Sequence, residues 1–272
     1  MLPAGRTFYK MSGSGNDFIL VDAMTETPGK LAEAATVQAL CARGTGVGAD
    51  GIVFLEQSGS ADFRMVYLNS DGSRADLCGN ASLCSARLAS ELGIVTGTEF
   101  RIETDSGILG ARLRDGTPEV DLQPVSEIRP ELPFRLEGGE QWIGFARAGV
   151  PHLGVRCADV DAADVVGRGR SLRFEPSLAQ GANVNFLAPD GTGGWRIRTY
   201  ERGVEGETLA CGTGAVASSI LLVEAGEAQS PVRLRTLSGR TLTVRLKRLD
   251  DGWLPSLAGE ATLVFQGRLG ES

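Results

Sequence analysis

The chain consists mainly of short apolar runs separated by glycine, aspartate and proline, a pattern typical of strands joined by tight turns. Apolar runs bounded by turn residues occupy residues 18–22 and 51–55, and residues 62–68 alternate between apolar and polar positions. Residues 100–104 and 108–113 predict the two strands of a β-hairpin, because an Asp-Ser-Gly turn separates them. The pattern therefore predicts a protein rich in β-structure.

Two longer segments, residues 79–92 and 212–225, have a helical pattern. Each begins directly after a cysteine and ends at a glycine suited to the C′ position of a helix. Both are apolar over most of their surface, which is typical of buried helices. Strand-turn-strand segments follow them, at residues 99–114 and 232–246. A weaker helix is predicted for residues 30–42.

The order of loop, cysteine-led helix, glycine, strand, turn and strand thus occurs twice, about half a chain apart. We expect an α+β fold of two pseudo-symmetric halves, each a curved, mostly antiparallel sheet around a central helix. Residues 124–139 are rich in proline and glutamate, and we interpret them as the crossing between halves. The first half is predicted to cover residues 1–122, with the helix N-termini facing a cleft between the halves.

Composition narrows the class of protein. The 272 residues carry a net charge of −7, which argues against a nucleic-acid partner, since such proteins usually present a basic face. No run of 18 apolar residues predicts a membrane span, and the first residues lack the apolar core of a signal peptide, so we expect a cytoplasmic protein. The five cysteines form no Cys-x-x-Cys pair, which favours free thiols.

The two cysteines that precede the helices, Cys78 and Cys211, are the candidate chemistry. A helix N-terminus offers unpaired N–H groups and a partial positive charge, which bind a carboxylate and stabilise a thiolate. One thiol takes the α-proton of an amino acid, and a second thiol returns a proton to the opposite face. This chemistry needs no cofactor. Asn80 and Thr213 are placed to cap the helices or to donate to the substrate.

Each of these residues also has a purely structural interpretation. A Cys-Gly pair that opens an apolar helix is often only a buried small thiol. Cys41, Cys84 and Cys157 lack the matched context and are predicted core residues. His152, the only histidine, is either structural or tunes a nearby thiol. One histidine and no clustered cysteines make a zinc site a weak alternative, so no metal is expected.

The next residues have two interpretations each. Glu201 and Arg202 form either a solvated charge pair in a turn or, through the carboxylate, a partner for a substrate ammonium group. Asn16 follows a Ser-Gly-Ser-Gly segment and is a turn residue by default. Asn183 and Asn185 lie either at a strand edge or in a pair of amide ligands.

Taken together, seven motifs resemble the diaminopimelate epimerase family, in the family's order and over nearly the whole chain. They are residues 10–18, 46–51, 69–73, 78–80, 151–152, 181–186 and 200–214. The resemblance implies a cofactor-independent isomerase that interconverts LL-2,6-diaminopimelate and the meso form, for lysine and cell-wall precursor synthesis.

The resemblance also implies roles for individual residues. Cys78 matches the base that acts on the LL substrate, and Cys211 matches the acid on the other face. His152 and Glu201 match residues thought to tune the thiols. The substrate-binding positions are Asn16, Asn69, Gly79, Asn80, Asn183, Glu201, Arg202, Gly212 and Thr213.

The family fold places the last predicted strand, residues 261–265, in the first half. The predicted halves are therefore residues 1–122 with 260–272, carrying Cys78, and residues 123–259, carrying Cys211. Family members are often homodimers, so the resemblance implies a homodimer here.

Four positions depart from the family pattern. Val150 stands where many members have a substrate-binding asparagine. Ala81 and Leu83 replace the usual glycine and arginine after the first Cys-Gly-Asn, and Leu83 is expected to pack inside the helix. Phe265 stands where some members carry a tyrosine at the dimer contact.

Two alternatives keep part of this interpretation. Proline racemases and hydroxyproline epimerases use the same two-thiol logic but usually have histidine where this chain has Asn80, and some related dehydratases keep one thiol. Alternatively, a redox switch or binding protein would use a disulfide between Cys78 and Cys211; we interpret that bond, if it forms on oxidation, as inactivation.

Overall fold

The computed structural model describes residues 5–270, which form strands and four α-helices. The helices are α1 (Ala34–Cys41), α2 (Gly79–Glu91), α3 (Val165–Arg173) and α4 (Gly212–Glu224). The strands are β1 (Thr7–Gly13), β2 (Asn16–Ala23), β3 (Gly51–Glu56), β4 (Phe63–Asn69), β5 (Arg74–Ala75), β6 (Glu99–Thr104), β7 (Gly107–Arg114), β8 (Thr117–Asp121), β9 (Ile128–Arg129), β10 (Glu140–Ala148), β11 (Val150–Cys157), β12 (Asn183–Pro189), β13 (Trp195–Glu201), β14 (Gly206–Thr208), β15 (Val232–Arg235), β16 (Thr241–Leu249), β17 (Gly252–Ala258) and β18 (Ala261–Arg268).

The chain divides into two compact units. Unit 1 comprises Met1–Val120 with Gly259–Ser272, and unit 2 comprises Asp121–Ala258. None of the helices within residues 5–270 combines the length and the apolar character that a membrane crossing requires.

In unit 1 the strand order is β18-β1-β2-β3-β4-β6-β7-β8, with β5 paired to β4. The pairs β2–β3 and β4–β6 are parallel, and the others in this order are antiparallel. The helix α2 packs against β1, β2, β3, β4, β7 and β18.

Unit 2 repeats this arrangement with different strands. Its order is β9-β10-β11-β12-β13-β15-β16-β17, with β14 paired to β13. The parallel pairs are again the third with the fourth strand and the fifth with the sixth. The helix α4 packs against β10, β11, β12, β16 and β17. The α+β fold with one central helix in each mostly antiparallel sheet is therefore present.

Both central helices start and stop where the sequence predicts. Cys78 and Cys211 are the N-cap residues of α2 and α4. At the other ends, Gly93 and Gly226 adopt φ angles of +70° and +73°. Each glycine begins a Schellman motif, because its N–H and that of the next residue bond back to helix carbonyls, at 3.2 and 2.9 Å after α2 and at 3.0 and 2.9 Å after α4.

A further helix covers the core of each unit. In unit 1, Val37 and Leu40 of α1 belong to a buried cluster with Ile19 and Phe54. In unit 2, Leu172 of α3 belongs to a cluster that includes Phe145, Phe186 and Tyr200.

The prediction of one helix over residues 30–42 is wrong. A 3-10 turn, Gly29–Ala32, ends at Glu33, whose backbone is extended (φ −70°, ψ 134°) and serves as the N-cap of α1. The break lets Leu31 enter the core together with Val37 and Leu40. In one unbroken helix Leu31 and Leu40, nine residues apart, would lie on opposite faces.

The predicted crossing, residues 124–139, is largely irregular but contains the short strand β9, which pairs with β10. No element was predicted at the strands β1, β5, β8, β10, β11, β13, β14 and β17 or at the helix α3. Glycines and arginines hide the apolar period of α3, and Gly169 is needed there because a Cβ would lie 2.7 Å from the Cβ of Tyr200. Asp164 caps this helix by accepting the N–H of Gly167 at 2.9 Å.

Candidate active site

The first candidate thiol, Cys78, is half-buried at the start of α2. Its carbonyl accepts the N–H of Ser82 at 2.9 Å, the first bond of the helix. Burial, and after it the neighbouring Cys78, raises the pKa of the Cys84 thiol well above its usual value. Cys84 therefore stays protonated, whereas Cys78 lies at the positive end of the helix, where a thiolate is favoured.

Two asparagine side chains lie beside this helix start. The Asn80 Nδ2 donates to Asn16 Oδ1 at 2.7 Å, and Asn16 Nδ2 donates to Asp50 Oδ2 at 2.9 Å. Asn80 is only 2% exposed, and its Oδ1 has no hydrogen-bond partner among residues 5–270. A buried acceptor of this kind suits a donor on a bound ligand.

The hairpin between β1 and β2 holds Asn16 in place. Ser14 and Gly15 both have positive φ, 55° and 120°, which makes a tight reversal at the end of β1. At Gly13 a Cβ would lie 2.8 Å from both Asn80 O and Cys84 Sγ, so glycine allows the strand to approach the first turn of α2. This approach brings Asn16 within reach of Asn80.

Asn69, the last residue of β4, is half-buried and donates through Nδ2 to Ser73 Oγ at 3.0 Å. Its N–H also bonds to the Ser73 carbonyl at 2.8 Å. The side chain is thus held by the turn that precedes Cys78, and Gly79 is the buried first residue of the helix.

The second candidate thiol, Cys211, is half-buried and caps its own helix. Its Sγ accepts the N–H of Gly214 at 3.3 Å and lies 3.5 Å from Thr213 Oγ1. Both contacts, together with the N-terminus of α4, favour the charged form of a thiol. At Gly214 a Cβ would lie 2.3 Å from Asn185 Oδ1, so only glycine fits here, while Gly212 is the buried first residue of α4.

A second polar group of unit 2 lies at the ends of β12 and β13. Asn183 Oδ1 accepts the N–H of Arg202 at 2.7 Å, and the Arg202 guanidinium donates to the Gln180 carbonyl at 3.1 Å. Glu201 accepts a hydrogen bond of 2.5 Å from the Thr208 hydroxyl. The carboxylate and the guanidinium that follow each other in sequence are therefore each held by a separate partner.

His152 is fully buried in β11, and its Nδ1 lies 3.3 Å from the Nδ2 of Asn185. Burial, and to a lesser degree the charge of Arg202, lowers the pKa of His152 to about 3. The imidazole is therefore neutral near neutral pH. Its Nε2 has no hydrogen-bond partner within residues 5–270.

The position of Asn185 shows whether this residue lies at the edge of a sheet. The strand β12 pairs with both β11 and β13, so it is an interior strand and not an edge. Asn185 is completely buried, and it donates to the Leu153 carbonyl at 2.9 Å and accepts from Thr199 at 3.0 Å. It supports His152 from within the sheet.

The remaining sequence predictions have clear positions. Cys41, Cys84 and Cys157 are buried, as predicted, and Leu83 is buried inside α2 with Ala81. Val150 begins β11 opposite Ala148, and Phe265 is exposed on β18. Asp50 and Thr208 were not predicted as site residues, although they lie in the motifs of residues 46–51 and 200–214.

Unit 1 gathers Cys78, Asn16 and Asn80 near one helix start, and unit 2 places Asn183 against Arg202 and Thr213 against Cys211. Among solved structures, the phenazine biosynthesis protein of the PhzF family from Bacillus anthracis is similar, with a TM-score of 0.76 and 15% identity over 98% of this chain and 99% of that chain. A hydroxyproline epimerase from Agrobacterium vitis gives a TM-score of 0.69 and 18% identity over 97% and 92%. The fold therefore defines the class of protein that these structures share.

Sequence comparison specifies the family within that class. The family model for diaminopimelate epimerase matches residues 8–127 and 144–264. A diaminopimelate epimerase from Gemmatimonas aurantiaca is 44% identical over 274 residues, covering 97% of this chain and 99% of that protein. The chain belongs to the diaminopimelate epimerase family.

Proposed function

We propose that this protein interconverts LL-2,6-diaminopimelate and meso-2,6-diaminopimelate, in the synthesis of lysine and of peptidoglycan precursors. The observation that carries the proposal is the pair of half-exposed cysteines, each at the N-cap of a buried central helix, in a chain of this family. The reaction is an isomerisation at one α-carbon.

The proposed mechanism uses two thiols and balances in protons. The Cys78 thiolate removes the α-proton of the LL substrate, and the electron pair of the C–H bond delocalises into the α-carboxylate. The Cys211 thiol then donates its proton to the opposite face of that carbon. The enzyme ends with a Cys78 thiol and a Cys211 thiolate, which is the state ready for the reverse reaction.

The helix N-termini supply the stabilisation that this weakly acidic proton requires. As negative charge develops on the substrate carboxylate, N–H groups at the start of a helix stabilise it, at roughly 3 kcal/mol for each well-placed donor. Gly79 and Gly212, the first residues of α2 and α4, allow a ligand to approach this backbone closely. The scheme requires no cofactor as an electron sink.

Residues of unit 2 support the choice of a substrate with two amino-acid ends. Glu201 presents a carboxylate for an ammonium group, and Arg202 presents a guanidinium for a carboxylate. Thr208 and Asn183 hold these two residues, respectively. Val150 lacks the amide that many family members have at this position, so its side chain offers a ligand no hydrogen bond.

Single substitutions at each thiol test the mechanism. We expect Cys78→Ala and Cys211→Ala each to reduce the rate of epimerisation by about 10²–10⁴-fold, which is the usual contribution of a positioned acid or base. The assay is formation of meso product from LL-diaminopimelate in deuterated water under reducing conditions, with deuterium at the inverted α-carbon.

Cys157→Ala is the matched control, because Cys157 is a buried core thiol of unit 2 whose pKa burial raises to about 11. It should keep its activity. Full epimerisation by Cys211→Ala would contradict the two-thiol scheme. Conversion of proline or hydroxyproline, with no conversion of diaminopimelate, would replace the proposed substrate.

We also infer a cytoplasmic location and a homodimer. The proposed thiols must stay reduced to exchange protons, which suits a reducing compartment. For the dimer, β18 pairs only with β1 among the described strands, and its Leu263, Val264 and Phe265 are exposed. An edge strand with exposed apolar side chains favours pairing with a second copy.

A further inference from the structure

A chain of charged groups in unit 1 leads from the protein interior to Asn80. Lys10 is only 7% exposed; its ammonium donates to the Gly48 carbonyl and to Asp17 at 2.5 Å. Arg43 donates to Asp17 at 2.5 Å and to Asp50 at 2.8 Å. Burying the Lys10 ammonium costs free energy unless an opposite charge pairs with it, and Asp17 supplies that charge.

The charges in this chain are well defined. Burial alone would raise the pKa of Asp17, but hydrogen bonds from Arg43 and Lys10 outweigh burial and hold the pKa below its usual value. Asp17 is therefore a carboxylate, and two cations flank it. Arg43 occupies Asp50 Oδ1, which leaves Oδ2 for the N–H of Asp17 at 3.2 Å and for Asn16.

This charge distribution determines how two amides point. A carboxylate only accepts hydrogen bonds, so Asn16 must turn its NH₂ group toward Asp50. Asn16 Oδ1 then faces away from Asp50 and accepts the Asn80 NH₂ group at 2.7 Å. Asn80 Oδ1 is thereby left as a buried acceptor with no partner within residues 5–270.

We propose that Lys10, Asp17, Arg43 and Asp50 are positioning residues that set the amide orientation of Asn16 and Asn80, so that Asn80 Oδ1 accepts a hydrogen bond from a substrate ammonium group beside Cys78. The inference rests on the proposed function, since it concerns the same substrate. Without the network, either amide could invert and present an NH₂ group, which repels an ammonium.

A pair of substitutions tests the orientation directly. In Asp50→Asn, the new amide can donate to Asn16, so the orientation of both asparagines is lost. We expect KM for LL-diaminopimelate to rise about 10-fold to 100-fold with a much smaller change in kcat, because a ground-state contact to a charged group is weakened. In Asn80→Asp, a carboxylate faces Asn16 Oδ1, and a loss of similar size is expected.

The double variant gives the decisive result. With Asp50→Asn and Asn80→Asp combined, Asn16 can rotate its amide, donating to the new Asp side chain and accepting from the new Asn side chain. We expect kcat/KM of the double variant to exceed that of Asn80→Asp by about 10-fold. Losses that simply multiply, or a normal KM in Asp50→Asn, would overturn the inference.

Two further variants separate this role from folding. Arg43→Gln changes an exposed side chain and should raise KM about threefold without a matching loss of kcat. Glu103→Gln removes a carboxylate from the Arg64 ion pair of the same unit and should leave KM unchanged. An unaltered KM in Arg43→Gln would count against the network. A wild-type enzyme inactive on diaminopimelate would instead refute the proposed function.

Discussion

At the scale of single residues, the same residue type serves two purposes according to its surroundings. Cys78 and Cys211 are half-exposed at helix N-termini, whereas Cys41 is buried, and burial raises its pKa to about 11. A thiol with that pKa holds its proton near neutrality and packs as a small apolar group. The location of Cys78 and Cys211 at helix N-termini, and not the presence of a cysteine alone, therefore distinguishes the two candidate acid–base thiols from the buried ones.

His152 provides a prediction about pH, because it is the only histidine in the chain. Its pKa is about 3 in the folded protein and about 6.5 when unfolded, so below pH 6.5 the unfolded chain binds a proton that the folded one does not. Stability is thus lost as the pH falls from 6.5 toward 3. Between pH 7.5 and 5.0, the free energy of unfolding should fall by about 2 kcal/mol more in wild type than in His152→Gln.

Urea unfolding of both proteins at the two pH values measures this difference. Equal falls in the two proteins would mean that His152 is protonated in the folded state. The imidazole would then exchange protons in the folded state, and the lowered pKa of His152 would be wrong.

At the scale of elements, the two central helices are defined at both ends by local chemistry. Each begins at a cysteine N-cap, and each ends in a glycine that adopts positive φ. A glycine in a neighbouring element allows that element to pack closely against the helix start, as Gly13 of β1 allows for α2. The hydrogen bond between Asn16 and Asn80 therefore requires the backbones of β1 and α2 to lie close together.

Gly13→Ala tests this close approach. The added Cβ would meet Asn80 O and Cys84 Sγ at 2.8 Å, so β1 and α2 must separate. We expect a loss of about 1–3 kcal/mol in the free energy of unfolding and a higher KM, because Asn16 moves with β1. Urea unfolding and steady-state kinetics measure the two effects.

Gly59→Ala is the matched control, since a Cβ there would meet no atom within 4 Å and the backbone is not in the left-handed region. It should change neither quantity appreciably. If Gly13→Ala behaved like Gly59→Ala, the helix start and the hairpin would be able to adjust independently, contrary to the packing described.

At the scale of the whole molecule, the chain uses one strand order twice. Each unit has nine described strands, eight of them in one corresponding order with parallel pairs at corresponding places. Each unit also has a helix with a cysteine at its N-cap position, packed against the sheet. The repeat has one irregular feature: the first strand of the unit 1 order, β18, comes from the C-terminal end of the chain. This strand also carries the exposed apolar side chains on which the homodimer proposal rests.

Val264→Asp tests the homodimer. Val264 is 56% exposed on β18, and a charge there would oppose pairing of this strand with a second copy. We expect the molar mass in solution, measured by light scattering after gel filtration, to fall from that of a dimer to that of a monomer, with secondary structure unchanged.

Val166→Asp is the control, because Val166 on α3 is also 56% exposed and lies in unit 2. It should remain dimeric. A wild-type protein that is monomeric at all concentrations, or a Val264→Asp variant that stays dimeric, would exclude this strand as the interface.

The sequence by itself determined the local features: the ends of the two central helices, the hairpin of β6 and β7, and the pair of thiols at helix starts. These depend on nearest-neighbour chemistry, such as caps, glycines and apolar runs, which a sequence displays directly. It also placed Asn16 and Asn80 in recognised motifs, although it did not show that they touch.

Only the tertiary structure decided which distant residues meet. The break at Glu33, the helix α3 and the interior position of β12 follow from packing across the sheets, and no local period encodes them. The same holds for the network from Lys10 to Asn80, because its members come together only when β1, β2, α2 and the segment between α1 and β3 pack. Hydrogen bonds between side chains far apart in sequence depend on that packing, so the direction in which each amide points could be determined only from the fold.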